Sequence, residues 1–359
     1  MSISARPVLA RPLGSVRLPG ASGLLRNTAF ETRADGPRRA LLFHGDGLEV
    51  HDLEDLFAGE RAPGTVFPMP WPGWARGGAS VSPDGAFAVF SGQRAVRAVR
   101  ADGATLWEHR HPCWGPEPGH SHTGDEQQVC GGFEHGSCRI SDDGRFVWAH
   151  ALTPGEEYDE CWSVLDARDG RELARLPLDD SAAAGSSHLS HPDGVHMGLC
   201  IGMGQDGVLL YWARWDGERP TVWDLNETLD RILADVHPAH EGFLTVEHYG
   251  EDLRLHALDG TVLAERGPVP AAEESEEDEL PWDHRPGFVD AGTVIATTGV
   301  EYDVDDAGPR HWLLDARTLE IRGTVTYPGG PVDSPAHPLG DGSWLTCDEA
   351  GGTLHRWAV

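Results

Sequence analysis

The chain of 359 residues carries 28 basic against 58 acidic residues, a formal net charge of -30. That excess opposes nucleic acid and anionic membranes, whose phosphates need clustered cations. Every basic residue is arginine, which excludes a lysine Schiff base, a lysine nucleophile and a phosphate-loop lysine.

In chain order, the first 14 residues lack the apolar core of a signal peptide, and no apolar run approaches the ~20 residues that span a bilayer. The expected compartment is cytoplasmic, with the cysteines at 113, 130, 138, 161, 200 and 347 reduced. Ser15-Val16-Arg17-Leu18 reads as a strand. Asp52–Phe57 has a weak helical pattern, as has Asn226–Leu233 with Asn226 as its cap. Asp35-Gly36 opens a series of acidic turns. Val81-Ser82-Pro83-Asp84-Gly85, Ile140-Ser141-Asp142-Asp143-Gly144 and Ser190-His191-Pro192-Asp193-Gly194 are close copies. Looser ones are His237–Gly242, Val289–Gly292 and His337–Gly342. The acidic positions 35, 84, 143, 193, 241, 290 and 341 lie 49, 59, 50, 48, 49 and 51 residues apart. A period near 50 marks a repeat architecture, because each unit is too small to bury a core alone.

Between turns lie short β-branched and aromatic runs, such as Phe87–Phe90, Ala95–Val99 and Ala104–Trp107. A second set of Asp-Gly turns, at 102–103, 169–170, 216–217 and 259–260, makes each unit four antiparallel strands. The final run, Gly352–Val359, is a third strand, so Ser15–Leu18 is expected to supply the missing fourth and remove an open edge. The fold class expected is all-β: one seven-bladed β-propeller domain over residues 1–359, with four-stranded antiparallel blades and the last closed by an N-terminal strand.

The Ser-Pro-Asp-Gly turns, with the strand endings Trp162-Ser163-Val164-Leu165-Asp166-Ala167 and Trp312-Leu313-Leu314-Asp315-Ala316, make the chain resemble the seven-bladed WD40-like and YVTN (quinoprotein-like) propellers over nearly its whole length. Val222-Trp223-Asp224 is a lone Trp-Asp pair in a fourth strand, and the upstream Gly-His dipeptide of true WD40 repeats is missing. The resemblance implies a fold that hosts many functions and names none.

The Asp-Gly turns share one face. The excess sequence lies on the other, here called the top. Its largest element, residues 107–136, holds His109, His111, His120, His122 and His135 with Cys113 and Cys130. Imidazole and thiolate ligate zinc, copper and iron, so His109, His111, His120 and His122 are candidate ligands of a transition metal. A solvated polar loop explains the same residues, and a cysteine nucleophile there lacks triad evidence. Two inter-blade links offer proline-held aromatics, with Trp71, Trp74 and Arg76 in the first and Trp282, His284 and Arg285 in the second. These, with His135 and His188, are the candidate ligand-binding residues of the top face. His188 also fits a satisfied core histidine, and the tryptophans fit covers over strand ends. The acidic loops Glu156–Glu160 and Glu301–Asp306 read as solvated, and residues 271–280 as a flexible acidic loop. His237 and His337 belong to turns.

No catalytic residue is assigned. The expected function is a binding or interaction module whose top face meets a protein, peptide or small-molecule ligand, with no nucleic acid and no membrane partner. The alternative is an enzyme with a His-rich, metal-dependent site using Zn, Cu or Fe.

Overall fold

The computed structural model describes residues 6–18, 28–33, 36–44, 46–59, 64–71, 73–74, 76–115, 129–130, 134–153, 159–178, 185–226, 230–272, 275–299, 309–348 and 352–359. Each acidic turn of the repeat joins the first two strands of a four-stranded antiparallel blade. Blade 1 is Thr28–Glu31, Arg39–Phe43, Gly47–Asp52 and Thr65–Pro68; blade 2 is Ala79–Val81, Ala88–Ser91, Ala95–Val99 and Thr105–Arg110. Blade 3 is Cys138–Ile140, Phe146–Leu152, Glu160–Asp166 and Glu172–Leu178; blade 4 is Gly185–Ser190, His196–Gly202, Val208–Trp215 and Pro220–Asp224. Blade 5 is Arg231–Val236, Phe243–Glu247, Leu253–His256 and Val262–Arg266. Blade 6 is Gly287–Asp290, Thr293–Thr298, Arg310–Asp315 and Ile321–Thr326. Blade 7 is His337–Pro338, Ser343–Asp348 and Thr353–Ala358, completed by Arg11–Arg17. The fold is the all-β, seven-bladed propeller expected from the period.

The turn chemistry explains the repeat. In blade 2 the Ser82 hydroxyl donates to Asp84 Oδ1 at 2.7 Å and accepts the Phe87 N–H at 3.1 Å. Asp84 also accepts the Ala86 N–H, and Gly85 takes φ +70°. Blade 3 repeats this with Ser141, Asp143 and Gly144 at φ +74°. Side-chain capping of the turn and a left-handed glycine are what Ser-x-Asp-Gly encodes. In blade 5 the left-handed position falls on His240, φ +66°, which is why that copy looks loose.

The described chain groups into two compact units. One, Ala29–Asp52 with Pro63–Leu229, contains blades 1 to 4. The other, Met1–Thr28, Leu53–Ala62 and Asp230–Val359, contains blades 5 to 7 and the N-terminal strands. Second and third strands form the core: Glu160–Asp166 is buried at every position, whereas the fourth strand Glu172–Leu178 is largely half-buried or exposed. Five of the thirteen tryptophans are fully buried. Among the described residues no helix is long and apolar enough to cross a membrane.

Four details differ from the sequence expectation. The closing strand is longer, Arg11–Arg17, with Ser15 opposite His355 and Val16 opposite Leu354. Pro7–Leu9 adds a fifth strand to blade 6, parallel to Ile321–Thr326. The helical pattern holds for Leu53–Phe57; of Asn226–Leu233, the described Arg231–Leu233 is strand instead. Arg231–Val236 pairs with Phe243–Glu247, and the Asn226 side chain accepts the Leu210 N–H at 2.6 Å. Of the acidic loop expected over 271–280, the described residues lie in two strands, Val269–Ala272 and Ser275–Leu280, which pair antiparallel with Val269 and Leu280 buried.

Deleting residues 1–17 is expected to cost roughly 5 kcal/mol, at about 1 kcal/mol per ladder hydrogen bond lost. The bared edge of Thr353–Ala358 should then drive self-association. Urea unfolding and gel filtration of the truncated chain check both.

Candidate functional site

The tryptophans of the first link are covers. Trp71 and Trp74 are 8% and 4% exposed and pack with Leu41, Phe67, Val81 and Phe90. The Trp74 indole donates to the Ser91 carbonyl at 3.2 Å. Trp71 lies on Gly92, where any Cβ would clash with the ring, and the Arg97 guanidinium sits 4.9 Å from its centroid. Arg76 is exposed. Trp282, in the other unit, bridges to Thr298 and donates its indole N–H to the Gly267 carbonyl at 3.0 Å. His284 donates Nε2–H to the His248 carbonyl at 2.6 Å and stacks on the His248 ring; Arg285 is exposed.

His135 is half-buried, its ring against Gly185, which has no room for a Cβ. His188 belongs to a polar seam between blades 3 and 4. The Trp162 indole donates to His188 Nε2 at 2.9 Å, and His188 Nδ1 lies 2.7 Å from Ser137 Oγ. Ser137 Oγ is 2.8 Å from Ser186 Oγ, Ser186 is 2.8 Å from His150 Nδ1, and His150 Nε2 is 2.7 Å from Glu160 Oε2. An indole can only donate. His188 therefore carries its proton on Nδ1, and every proton in the chain points toward Glu160. Burial holds His188 well below the usual imidazole range. Carboxylate, imidazole and hydroxyl follow one another here as in an acyl-transfer triad. However, the Ser186 oxygen also accepts from Ser137, and His150 is fully buried. The seam is a satisfied network between blades.

Of the four histidine candidates for a metal, the structure describes His109 and His111. His109 Nε2 faces Glu172 at 3.6 Å. His111 donates Nδ1–H to the Pro112 carbonyl at 2.7 Å, and burial pushes its imidazole down to about 4. His120 and His122 lie outside the described residues. Cys113 and Cys130 are neighbours, because Gln93 clamps the Cys130 backbone from both sides, at 3.1 and 2.8 Å, and accepts the Trp114 N–H on its carbonyl. Burial and the Cys130 thiol push the Cys113 thiol up to about 12, which makes it a poor nucleophile. Among the described residues, His191, Asp193 and His196 do converge. They form the capped turn of blade 4, where Asp193 accepts the Val195 and His196 N–H groups and His196 stacks between Trp212 and Trp223.

A cavity of about 540 Å³ opens at the junction of blades 6 and 7, on the side of the inter-blade link and away from the Asp-Gly turns. Its walls are Tyr327, the link Gly329–Asp333, Thr346–Asp348 on the second strand of blade 7, and His355 and Trp357 on the third. Tyr327 OH accepts the Trp344 indole N–H at 3.0 Å and donates to His311 Nδ1, while His311 Nε2–H donates to the Ser334 carbonyl at 3.0 Å. The Trp357 indole donates to Thr346 Oγ1 at 2.9 Å, and its ring meets Tyr327 edge-on at 4.9 Å. His355 Nδ1 lies 2.7 Å from Ser15 Oγ on the closing strand. Asp333 and Asp348 are exposed at the rim. None of these residues is among the sequence candidates. The available signal was the link itself, Tyr327-Pro328-Gly329-Gly330-Pro331-Val332-Asp333-Ser334-Pro335, with glycines and prolines clustered next to an aromatic.

No protein-family model matches the chain, and no curated protein matches it in sequence. Among solved structures it is similar to the β-propeller domain of Cps50 (Swd1) from Myceliophteria thermophila, at 12% identity and a TM-score of 0.51, over 98% of this chain and 99% of that one. It is also similar to BamB from Moraxella catarrhalis, at 11% identity and a TM-score of 0.41, over 98% and 100%. The likeness to Cps50 (Swd1) is one of fold, and the chain is a seven-bladed β-propeller.

Proposed function

We propose that this propeller is an interaction module and that its recognition point is the cavity at blades 6 and 7. The observation that carries the proposal is the cavity itself. Its volume of about 540 Å³ falls in the range of pre-formed ligand sites, and aromatic rings fixed by their own hydrogen bonds wall it. The tryptophan links expected to serve this purpose are instead packed under neighbouring side chains. A protein partner would insert one side chain here; a small molecule would fill it.

A fragment library screened by ligand-observed NMR tests this, with Val332→Trp as the blocked form. Val332 is half-buried in the cavity wall, so a tryptophan there occupies the space. Fragments that bind the native protein should lose about tenfold or more in affinity, equivalent to roughly 1.4 kcal/mol. Binding that Val332→Trp leaves unchanged places recognition elsewhere.

A further inference from the structure

We propose that Cys113 and Cys130 form a thiol-exchange site, a dithiol that a low-molecular-weight disulfide of the glutathione class oxidises to an intramolecular disulfide. The two cysteines are seventeen positions apart in sequence, and both are half-buried, so small reagents in solvent reach them. Cys138 and Cys161 are buried, with their sulfurs on oxygen partners, 3.7 Å from the Val89 carbonyl and 3.8 Å from Ser163 Oγ.

One turn of blade 2 holds both members of the pair. Gly92-Gln93-Arg94 joins the strands Ala88–Ser91 and Ala95–Val99. The His111 N–H donates to the Arg94 carbonyl and the Trp114 N–H to the Gln93 carbonyl, each at 3.0 Å, which fixes the backbone on either side of Cys113. Trp114 is itself buried in the core with Trp148 and Trp162, its ring 5.5 Å from that of His150. The Gln93 side chain donates to the Cys130 carbonyl at 3.1 Å and accepts the Cys130 N–H at 2.8 Å. Gln93 is 6% exposed, so water competes poorly for these bonds. The same residue thus grips the neighbour of Cys113 with its backbone and Cys130 with its side chain, and the two thiols hydrogen-bond each other. Closing from that contact to the bonded length of about 2.05 Å is a side-chain movement between backbones already held. Prior positioning of this kind removes much of the entropy cost of joining two groups.

The order of attack follows from the two environments. Burial and the neighbouring thiol hold Cys113 protonated, so Cys130 is the attacking sulfur. The Cys130 thiolate displaces one RS⁻ from the disulfide RSSR and becomes a mixed disulfide. That step removes the thiol which helps Cys113 to keep its proton. Cys113 then gives its proton to a released thiolate, attacks the Cys130 sulfur and expels the second RS⁻. Two protein thiols are oxidised to one disulfide, RSSR is reduced to two RSH, and both protein protons end on the released thiols.

The test is peptide mapping by mass spectrometry after the full chain is equilibrated with mixtures of reduced and oxidised glutathione. A Cys113–Cys130 cross-linked peptide should appear. Gln93→Leu, its reduced form checked for fold by circular dichroism, should need a mixture about tenfold more oxidising to form half the disulfide. If Gln93→Leu does not fold, Gln93→Glu, which keeps the length but cannot donate to the Cys130 carbonyl, takes its place. With Cys113→Ser, Cys130 should accumulate as the glutathione mixed disulfide; with Cys130→Ser, Cys113 should react about tenfold or more slowly. Free thiols at both positions in fully oxidised glutathione, mixed disulfides without the cross-link, or a cross-link to another cysteine overturns the proposal. A Gln93 variant that forms the disulfide as readily as the native chain overturns it too, since the clamp is what makes the pair a site. Equal rates in the two serine variants overturn the order of attack.

Discussion

Glu31→Gln is expected to lower the unfolding free energy by about 3–5 kcal/mol, the cost of leaving buried charge uncompensated. Glu31 is 1% exposed, at the end of the first strand of blade 1. Arg139, Arg33 and Arg39 approach it at 3.0, 3.5 and 4.0 Å, and the Ser80 hydroxyl donates to it at 2.9 Å. Arg33 continues to Asp142 at 2.9 Å and to the Val81 and Ser141 carbonyls, and Arg39 reaches the Ser82 and Pro83 carbonyls. Three guanidiniums thus tie the turn ends of blades 1 to 3 around two carboxylates. Burial already lowers the Arg33 and Arg39 pKa values and raises that of Asp142. Glutamine keeps the shape of Glu31 but leaves Asp142 alone against three cations. Adding Arg33→Met should recover part of the loss by reducing the excess charge, a coupling that a double-mutant cycle in urea measures. A loss under about 1 kcal/mol for Glu31→Gln would mean that the network does not hold these turns.

The second large effect is acid sensitivity. Burial pushes His111, His256 and His311 down to about 4 and His337 down to about 3. An unfolded imidazole titrates near 6.5. The unfolded chain therefore binds these protons first, and stability rises with pH. The contribution is complete above about pH 6.5 and is lost as pH falls from there toward 4. Between about pH 7 and 5 each of these four histidines costs about 1.8 kcal/mol, and together they cost about 7 kcal/mol. Asp235, which burial pushes up to about 7, works the other way and returns about 2 kcal/mol as it gains its proton. The net of about 5 kcal/mol is comparable to the whole stability of many domains. Unfolding is expected near pH 5, above the range in which ordinary carboxylates titrate. Denaturant curves at about pH 7, 6 and 5 measure the slope, and His256→Gln should make it shallower by about a quarter.

The blades were legible because their punctuation is local. Ser82, Asp84 and Gly85 satisfy one another within five residues, so the turn writes itself into the sequence wherever it recurs. The closing strand was legible by elimination, since Gly352–Val359 ends one strand short. Pro7–Leu9 was not, because a three-residue parallel pairing with Ile321–Thr326 leaves no local pattern. The candidate site was legible only in kind. Proline next to tryptophan announces rigid aromatics, but not whether Trp71 faces solvent or Gly92. The cavity draws on Tyr327, Thr346 and Trp357, apolar or hydroxylated residues that any strand could carry. Their arrangement exists only after blades 6 and 7 have come together.

The N-terminal segment sets the timetable of folding. Arg11–Arg17 completes blade 7 and Pro7–Leu9 completes the edge of blade 6, yet both partners are made some 300 residues later. At about 5–20 residues per second, the segment waits roughly 20–70 s on the ribosome for its partner strands. Contacts of such sequence separation close the longest loops and come last. His355 meets Ser15 only at that step. The cavity at blades 6 and 7 should therefore be the latest feature to mature, and a chain that has made the strands of blade 7 but not yet captured Arg11–Arg17 would be folded in most of its blades with that cavity unfinished.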